Sequence, residues 1–149
     1  MIKIASMLYK GDGIEPDPKE SIKYLKMASD IHGSGLAMYK LSLILSKSES
    51  TKEESILYLK MASGRKVEPA ITKYALMALR GDGVKQNKEE AFCYFKMAVD
   101  LGNSTAMYAM AKMYLNGDGV AENKAEAARL FKMAADKGKK EAMKSYAMM

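Results

Sequence analysis

Apolar and small residues recur along this chain at helical spacing. In one stretch they fall at Ala91, Tyr94, Phe95 and Ala98, an i, i+3, i+4, i+7 pattern that puts all four on one helix face. The same stripe returns at Ser21, Tyr24, Leu25, Ala28, at Ser55, Tyr58, Leu59, Ala62, and at Ala127, Leu130, Phe131, Ala134. A second kind of stripe alternates with it: Ala106, Met110, Ala111, Tyr114, matched by Ala70, Tyr74, Ala75, Ala78 and by Ala37, Leu41, Ser42, Leu45. The residue after its middle apolar position is always small (Ala5, Ser42, Ala75, Ala111, Ala147), so a neighbouring helix can approach closely. The pattern predicts helices in pairs.

Three landmarks keep fixed register with these stripes. Lys-Met-Ala triplets begin at Lys26, Lys60, Lys96 and Lys132, at intervals of 34, 36 and 36 residues. Gly-Asp-Gly begins at Gly11, Gly81 and Gly117, each 15 residues before its triplet, and alanines open the next segment at Ala37, Ala70, Ala106 and Ala142. Such regularity predicts a solenoid of two-helix units, none able to bury its apolar face alone. The units run 1–36, 37–69, 70–105 and 106–141, with a partial unit 142–149, in a single repeat domain covering 1–149. Each second helix opens with a capping-box sequence: Asp17-x-x-Glu20, Thr51-x-x-Glu54, Asn87-x-x-Glu90 and Asn123-x-x-Glu126. Pro18 occupies a first helical position, and Gly102 and Gly138 stand where left-handed caps are expected. The second unit departs from the rule: its inter-helix segment, Ser46 to Ser50, lacks Gly-Asp-Gly and is three residues shorter, which predicts an altered helix-to-helix angle.

Read together, Ala106, Met110, Ala111, Tyr114, Gly117, Gly119, Val120, Asn123, Ala127, Leu130, Phe131, Ala134 and Gly138 resemble the Sel-one-like repeats, tetratricopeptide-related helical hairpins. The resemblance implies an all-α, right-handed αα-superhelix of about four helix-turn-helix repeats plus one further C-terminal helix. It also implies an adaptor that holds other proteins together, as similar proteins do in signalling, in endoplasmic-reticulum quality control and in bacterial host interaction. Cysteine-rich relatives were linked to lactam binding, but this chain has none of their cysteine pairs.

Composition narrows the class. At 149 residues, with 48% hydrophobic and 28% charged residues, the chain is long enough and apolar enough to bury a core. No apolar run approaches the ~18 residues of a membrane span, and the start is too interrupted for a secretory signal. One cysteine, Cys93, excludes an internal disulfide framework. A reducing, cytoplasmic location is the default, a lumenal or secreted one requiring a signal outside this chain. Asn103-Ser104-Thr105 is a glycosylation acceptor sequence, of a kind that arises often by chance. A net charge of +6 favours acidic partners.

Catalytic signals are absent. His32, the only histidine, lies in the irregular-looking stretch IHGSG and reads as a turn residue. Nothing near Cys93 marks an activated thiol. Asp12, Asp82 and Asp118 lack the alternating carboxylates of a calcium loop, and Gly-Asp-Gly lacks the Lys-Ser/Thr of a phosphate loop. The reading is therefore a noncatalytic protein without cofactor or metal. Met27, Met61, Met97 and Met133 share one repeat position and read as filler between repeats.

The candidate partner surface lies on the first helices. Lys3, Lys40 and Lys73 share one position, and Lys10, Lys47 and Arg80 another two turns later, with Met7, Ile44, Met77 and Met113 forming a strip between the rows. In tetratricopeptide-like arrays the first helices line the concave face, so the resemblance makes these residues a groove for a protein or peptide, in particular an acidic one. Exposed positions such as Tyr39, Thr72 and Tyr108 would set specificity. Nucleic-acid binding is the weaker alternative, since Tyr24, Tyr58 and Tyr94 lie on the apolar stripe and are not free to stack on bases. Met1 aligns with the second residue of a first helix and Met149 stops within another, so a piece excised from a longer array is expected, with apolar ends open to end-to-end self-association.

Overall fold

A computed structural model describes residues 1–149, all in helices and their connections. The chain forms two compact units, residues 1–70 and 71–149. The first holds α1 (Ile2–Lys10), α2 (Pro18–His32), α3 (Gly35–Leu45), a 3-10 turn (Glu49–Thr51) and α4 (Lys52–Gly64). Helix α5 (Glu68–Arg80) leads into the second, which continues with α6 (Lys88–Asp100), α7 (Ser104–Asn116), α8 (Lys124–Asp136) and α9 (Lys140–Ala147). No helix is long and apolar enough to cross a membrane. Each landmark alanine sits two residues inside its helix, because α3, α5, α7 and α9 begin at Gly35, Glu68, Ser104 and Lys140.

The stripes become the cores. In the first unit Ala5, Leu25, Ala28, Ala37 and Leu41 are buried together, with Tyr24 and Tyr58 half-buried against them. In the second, Phe95, Phe131, Met107 and Met110 are sealed among alanines from α5 to α9. The two members of the first three pairs therefore differ, while in the fourth Leu130 and Phe131 are both buried. Leu25, Leu59, Phe95 and Phe131 are buried, whereas Tyr24, Tyr58 and Tyr94 keep a polar edge near solvent, which suits a ring carrying a hydroxyl. Partial burial pushes the Tyr58 hydroxyl pKa up.

Three of the four expected caps form. Asp17, Asn87 and Asn123 accept the backbone N–H of Glu20, Glu90 and Glu126 at 3.0, 2.9 and 3.0 Å. The N–H of each cap residue, expected to receive the glutamate side chain, instead donates to a carbonyl of the preceding helix: Leu8, Ala78 and Tyr114, at 2.8, 2.9 and 2.8 Å. The cap thus closes the hairpin as well as starting the helix. Thr51 is the exception. The connection before it is three residues shorter, and its side chain caps nothing. Its hydroxyl donates at 2.6 Å to the carbonyl of Leu45, the residue that occupies the register of Leu8, Ala78 and Tyr114. One hairpin is closed by a side chain where the others use the main chain.

The turns after the second helices show a similar substitution. Gly33, Gly102 and Gly138 adopt left-handed φ of 56°, 84° and 85°, and Lys66 is forced into the same region at 59°. A side chain at that φ is strained by about 1–2 kcal/mol. The extra residue before Ala37 is absorbed by α2, which runs 15 residues where α4, α6 and α8 run 13.

Candidate functional site

In each unit the first helices leave open clefts between them. In the first unit a cleft of about 260 Å³ separates α1 from α3, floored by Leu25, Leu43 and Ile44 and rimmed by Ser6, Tyr9 and Lys40. Of the nearby cations, Lys10 lines the cleft and is exposed, whereas Lys40 in the rim and Lys47 outside the lining are engaged. The Lys40 ammonium donates to the Ser6 hydroxyl at 2.6 Å, and Lys47 donates to the Tyr9 hydroxyl with its ammonium 4.8 Å from that ring's centroid. Lys47 lies beyond the end of α3 at Leu45, so it does not continue the helical row from Lys40. Lys3 and Lys10 are exposed on α1, and Met7 is half-buried.

The second unit holds a cleft of about 420 Å³ between α5 and α7. Leu76, Leu79 and Met113 supply apolar surface, and Arg80, Lys112 and Lys139 supply charge. The Lys139 ammonium lies 3.4 Å from the Thr105 hydroxyl and 3.9 Å from the Glu141 carboxylate. The Lys112 ammonium sits 5.9 Å from the Tyr108 ring centroid. The one carboxylate in this lining, Asp118, is bonded to Lys88 at the start of α6, and Arg80 forms no ion pair. The cleft therefore carries positive charge facing solvent over an apolar floor. A further cleft of about 440 Å³ lies between α7 and α9, lined by Leu115, Lys124, Ser145, Met148 and Met149.

Several sequence-derived positions move. Met113, placed on an exposed strip, is 2% exposed, because it turns into the core with Met110 and shows the cleft only its edge. Lys73 and Met77 are half-buried and do not line the cleft. Thr72, expected to be exposed, is 8% exposed, while Tyr39 and Tyr108 are half-buried. His32 is not in a turn but ends α2, and it is exposed, as is Cys93. Lys112 and Lys139 were missed. Lys112 lies three residues past Ala109, where the cationic row lapses, and a helical wheel of α7 alone would have placed it one turn along the same face. Lys139 comes from the next turn, and only folding brings it to the cleft.

Elsewhere, ion pairs form both between helices and within one helix. Lys26 on α2 reaches Glu54 on α4 at 2.8 Å, and that hydrogen bond raises the lysine pKa. Arg129 grips Glu126 one turn back on α8 and holds its carboxyl below the usual range. No group of three His, Cys, Asp or Glu side chains comes together as a metal would require.

Residues 1–31, 69–103 and 104–139 match the Sel1 repeat, and the chain belongs to that family. Among solved structures, a Sel1 repeat protein from Oxalobacter formigenes is 28% identical, with a TM-score of 0.81 over 97% of this chain and 60% of its own. A protective antigen of uropathogenic Escherichia coli displaying an SLR fold is 23% identical, with a TM-score of 0.83 over 92% of this chain. The present chain spans 30% of that antigen. Helicobacter pylori cysteine rich protein B is 22% identical, with a TM-score of 0.64 over 89% of this chain and 97% of its own. No curated protein matches the chain. Family and neighbours together make this an all-α solenoid of Sel1 repeats.

Proposed function

We propose that this Sel1 repeat chain is a noncatalytic protein-interaction scaffold whose first-helix faces take an acidic segment bearing apolar anchors. The observation that carries the reading is the α5–α7 cleft, where Leu76, Leu79 and Met113 lie beneath Arg80, Lys112 and Lys139 with no free carboxylate among them. The exposed cations Lys3 and Lys10, with Lys40, Lys47 and Lys73, extend the positive character of the first helices, and Met7, Ile44 and Met77 add adaptable apolar surface. A single exposed ion pair contributes ~0–1 kcal/mol, so recognition rests on several acting together. Membership in a helical repeat family supports a scaffold, since such arrays expose extended surface on a core guaranteed by the repeat.

Selection from a random peptide library tests this. Wild-type chain should enrich peptides with acidic residues beside aromatic or aliphatic ones, and raised salt should weaken their binding. A variant carrying Arg80→Glu, Lys112→Glu and Lys139→Glu, the cations of the cleft, should keep its far-ultraviolet circular dichroism and lose those peptides. Enrichment without charge preference, or peptides retained by the reversed variant, overturns the proposal.

A further inference from the structure

The α1–α3 cleft and the α5–α7 cleft are built from the same repeat positions with different chemistry. Lys10 and Arg80 share one position and are both exposed, and Ile44 and Met113 share another. Leu43 stands where α7 has Lys112, and Ser6 and Tyr9 stand where α5 has Leu76 and Leu79. The first cleft is walled by α1 and α3 and floored by Leu25 of α2, so its whole boundary lies within one unit. Its hydroxyls are already bonded within the protein. Ser21 donates to the Ala5 carbonyl at 2.7 Å, Ser6 accepts from the Lys40 ammonium at 2.6 Å, and Tyr9 accepts from Lys47. What faces an occupant is apolar surface from Leu43 and Ile44, the Tyr9 ring and the exposed Lys10 ammonium. The lining holds two cations, Lys10 and Lys40, and no carboxylate.

Size selects the occupant. A volume of about 260 Å³ falls below the ~300–1,000 Å³ of ordinary small-molecule sites and suits one large side chain entering from a peptide. The Tyr9 ring in the wall favours an aromatic one, which can meet it edge to face. Two cations without a carboxylate favour negative charge beside that ring. We propose that the α1–α3 cleft is an anchor pocket for a single aromatic side chain of a partner protein, flanked in the partner's sequence by a carboxylate that pairs with Lys10. The pocket presupposes the peptide-binding scaffold proposed above and gives its two clefts separate tasks. The second, with three cations in its lining, selects charge, whereas the first selects the ring.

The test titrates acetylated, amidated Glu-Phe-Glu into the intact, isotope-labelled chain and follows amide chemical shifts. Tyr9, Leu43 and Ile44 should shift saturably. Glu-Ala-Glu should bind at least about tenfold more weakly, because the ring supplies the buried surface. Gln-Phe-Gln should bind about threefold more weakly, because an exposed ion pair is lost. Lys10→Glu, at an exposed position, should reverse the order of the two Phe peptides, and Leu43→Lys, which copies the second cleft, should erase the preference for Phe over Ala. No saturable shift at Leu43 and Ile44, equal binding of the Ala peptide, an order unchanged by Lys10→Glu, or a Phe preference that survives Leu43→Lys overturns the proposal. So do shifts confined to Leu76 and Tyr108, for then the second cleft takes the ring. The triple charge reversal of the second cleft separates the two readings: that variant should lose the library peptides yet keep the tripeptide shifts at Leu43 and Ile44. Library enrichment with no tripeptide shift leaves the acidic-segment reading standing and removes the anchor pocket.

Discussion

The two units are built from one pattern yet are held together differently. In the second unit the seam is alanine and phenylalanine: Ala91 and Ala127 open the second-helix stripes, and Phe95 and Phe131 fill them. In the first unit serines take the alanine places, and leucines take those of the phenylalanines. Ser21 donates to the Ala5 carbonyl at 2.7 Å and Ser55 to the Ser42 carbonyl at 2.8 Å, two contacts in the same register. Each restores by hydrogen bonding part of what a smaller apolar stripe forgoes, and each links a second helix to the first helix of its own hairpin. The serine strategy is imperfect. Ser29, buried where the second unit has Val99 and Ala135 near its core, has a hydroxyl with no hydrogen-bond partner. The Sel1 match passes over residues 32–68, the stretch that contains the shortened hairpin, the Thr51 closure and the strained Lys66. A repeat can thus drift from its family pattern while its tertiary contacts are supplied by other atoms.

The largest effect expected from this contrast lies in the aromatic seam. Phe95→Ala should cost about 3–5 kcal/mol in chemical denaturation, and Leu59→Ala about 2–5, because a larger side chain leaves a larger cavity. Leu59→Ala proving the more damaging would break the view that the second unit rests more heavily on apolar packing. Next come the second glycines of Gly-Asp-Gly. Gly119 has φ 77°, and an added Cβ would meet the Lys88 Cβ at 2.7 Å, whereas around Gly13, at φ 79°, there is open space. Gly13→Ala should cost about 1–2 kcal/mol of backbone strain alone. Gly119→Ala should add about 1–3 kcal/mol of overpacking to that, read as a lower thermal midpoint.

The serines should give opposite signs. Ser55→Ala removes a made hydrogen bond and should destabilise by about 1 kcal/mol, while Ser29→Ala removes an unpartnered hydroxyl and should stabilise by about as much. Equal signs would remove the distinction drawn between them. Lys66→Gly should stabilise by about 1 kcal/mol or less, since glycine relieves the left-handed strain but is freer in the unfolded chain.

The smallest effects are electrostatic and fall at opposite ends of the pH scale. Lys26 has its folded pKa raised by the Glu54 hydrogen bond. Its contribution is whole below the unfolded lysine pKa and fades as pH rises through the folded value. Glu126 has its folded pKa lowered by Arg129. Its contribution is present above the unfolded glutamate pKa and fades as pH falls through the folded one. Both pairs are substantially solvent-exposed, so each is worth at most a few tenths of a kcal/mol. Lys26→Met should flatten the alkaline limb of a stability–pH curve and Arg129→Met the acidic limb, and the reverse assignment would contradict the geometry.

From the sequence alone came the helices, their pairing, the register of the hairpins, three working caps, the seam and the family. All of these follow from spacing within a few residues or from repetition, and both are written along the chain. Tertiary structure alone decided which side chains spend their polar groups internally. Lys40 meets Ser6 from 34 residues away and Lys47 meets Tyr9 from 38, so two cations read as a binding row are tied to their own unit. Thr51 had the letters of a cap, yet a loop three residues shorter turned its hydroxyl toward Leu45. Met113 shares a repeat position with Met7, Ile44 and Met77 and is buried where they are not, while Lys139 reaches the cleft from the following repeat. Periodicity sets which way a residue faces on its own helix, but exposure and partnership depend on atoms brought near by packing, and no local pattern encodes those distances.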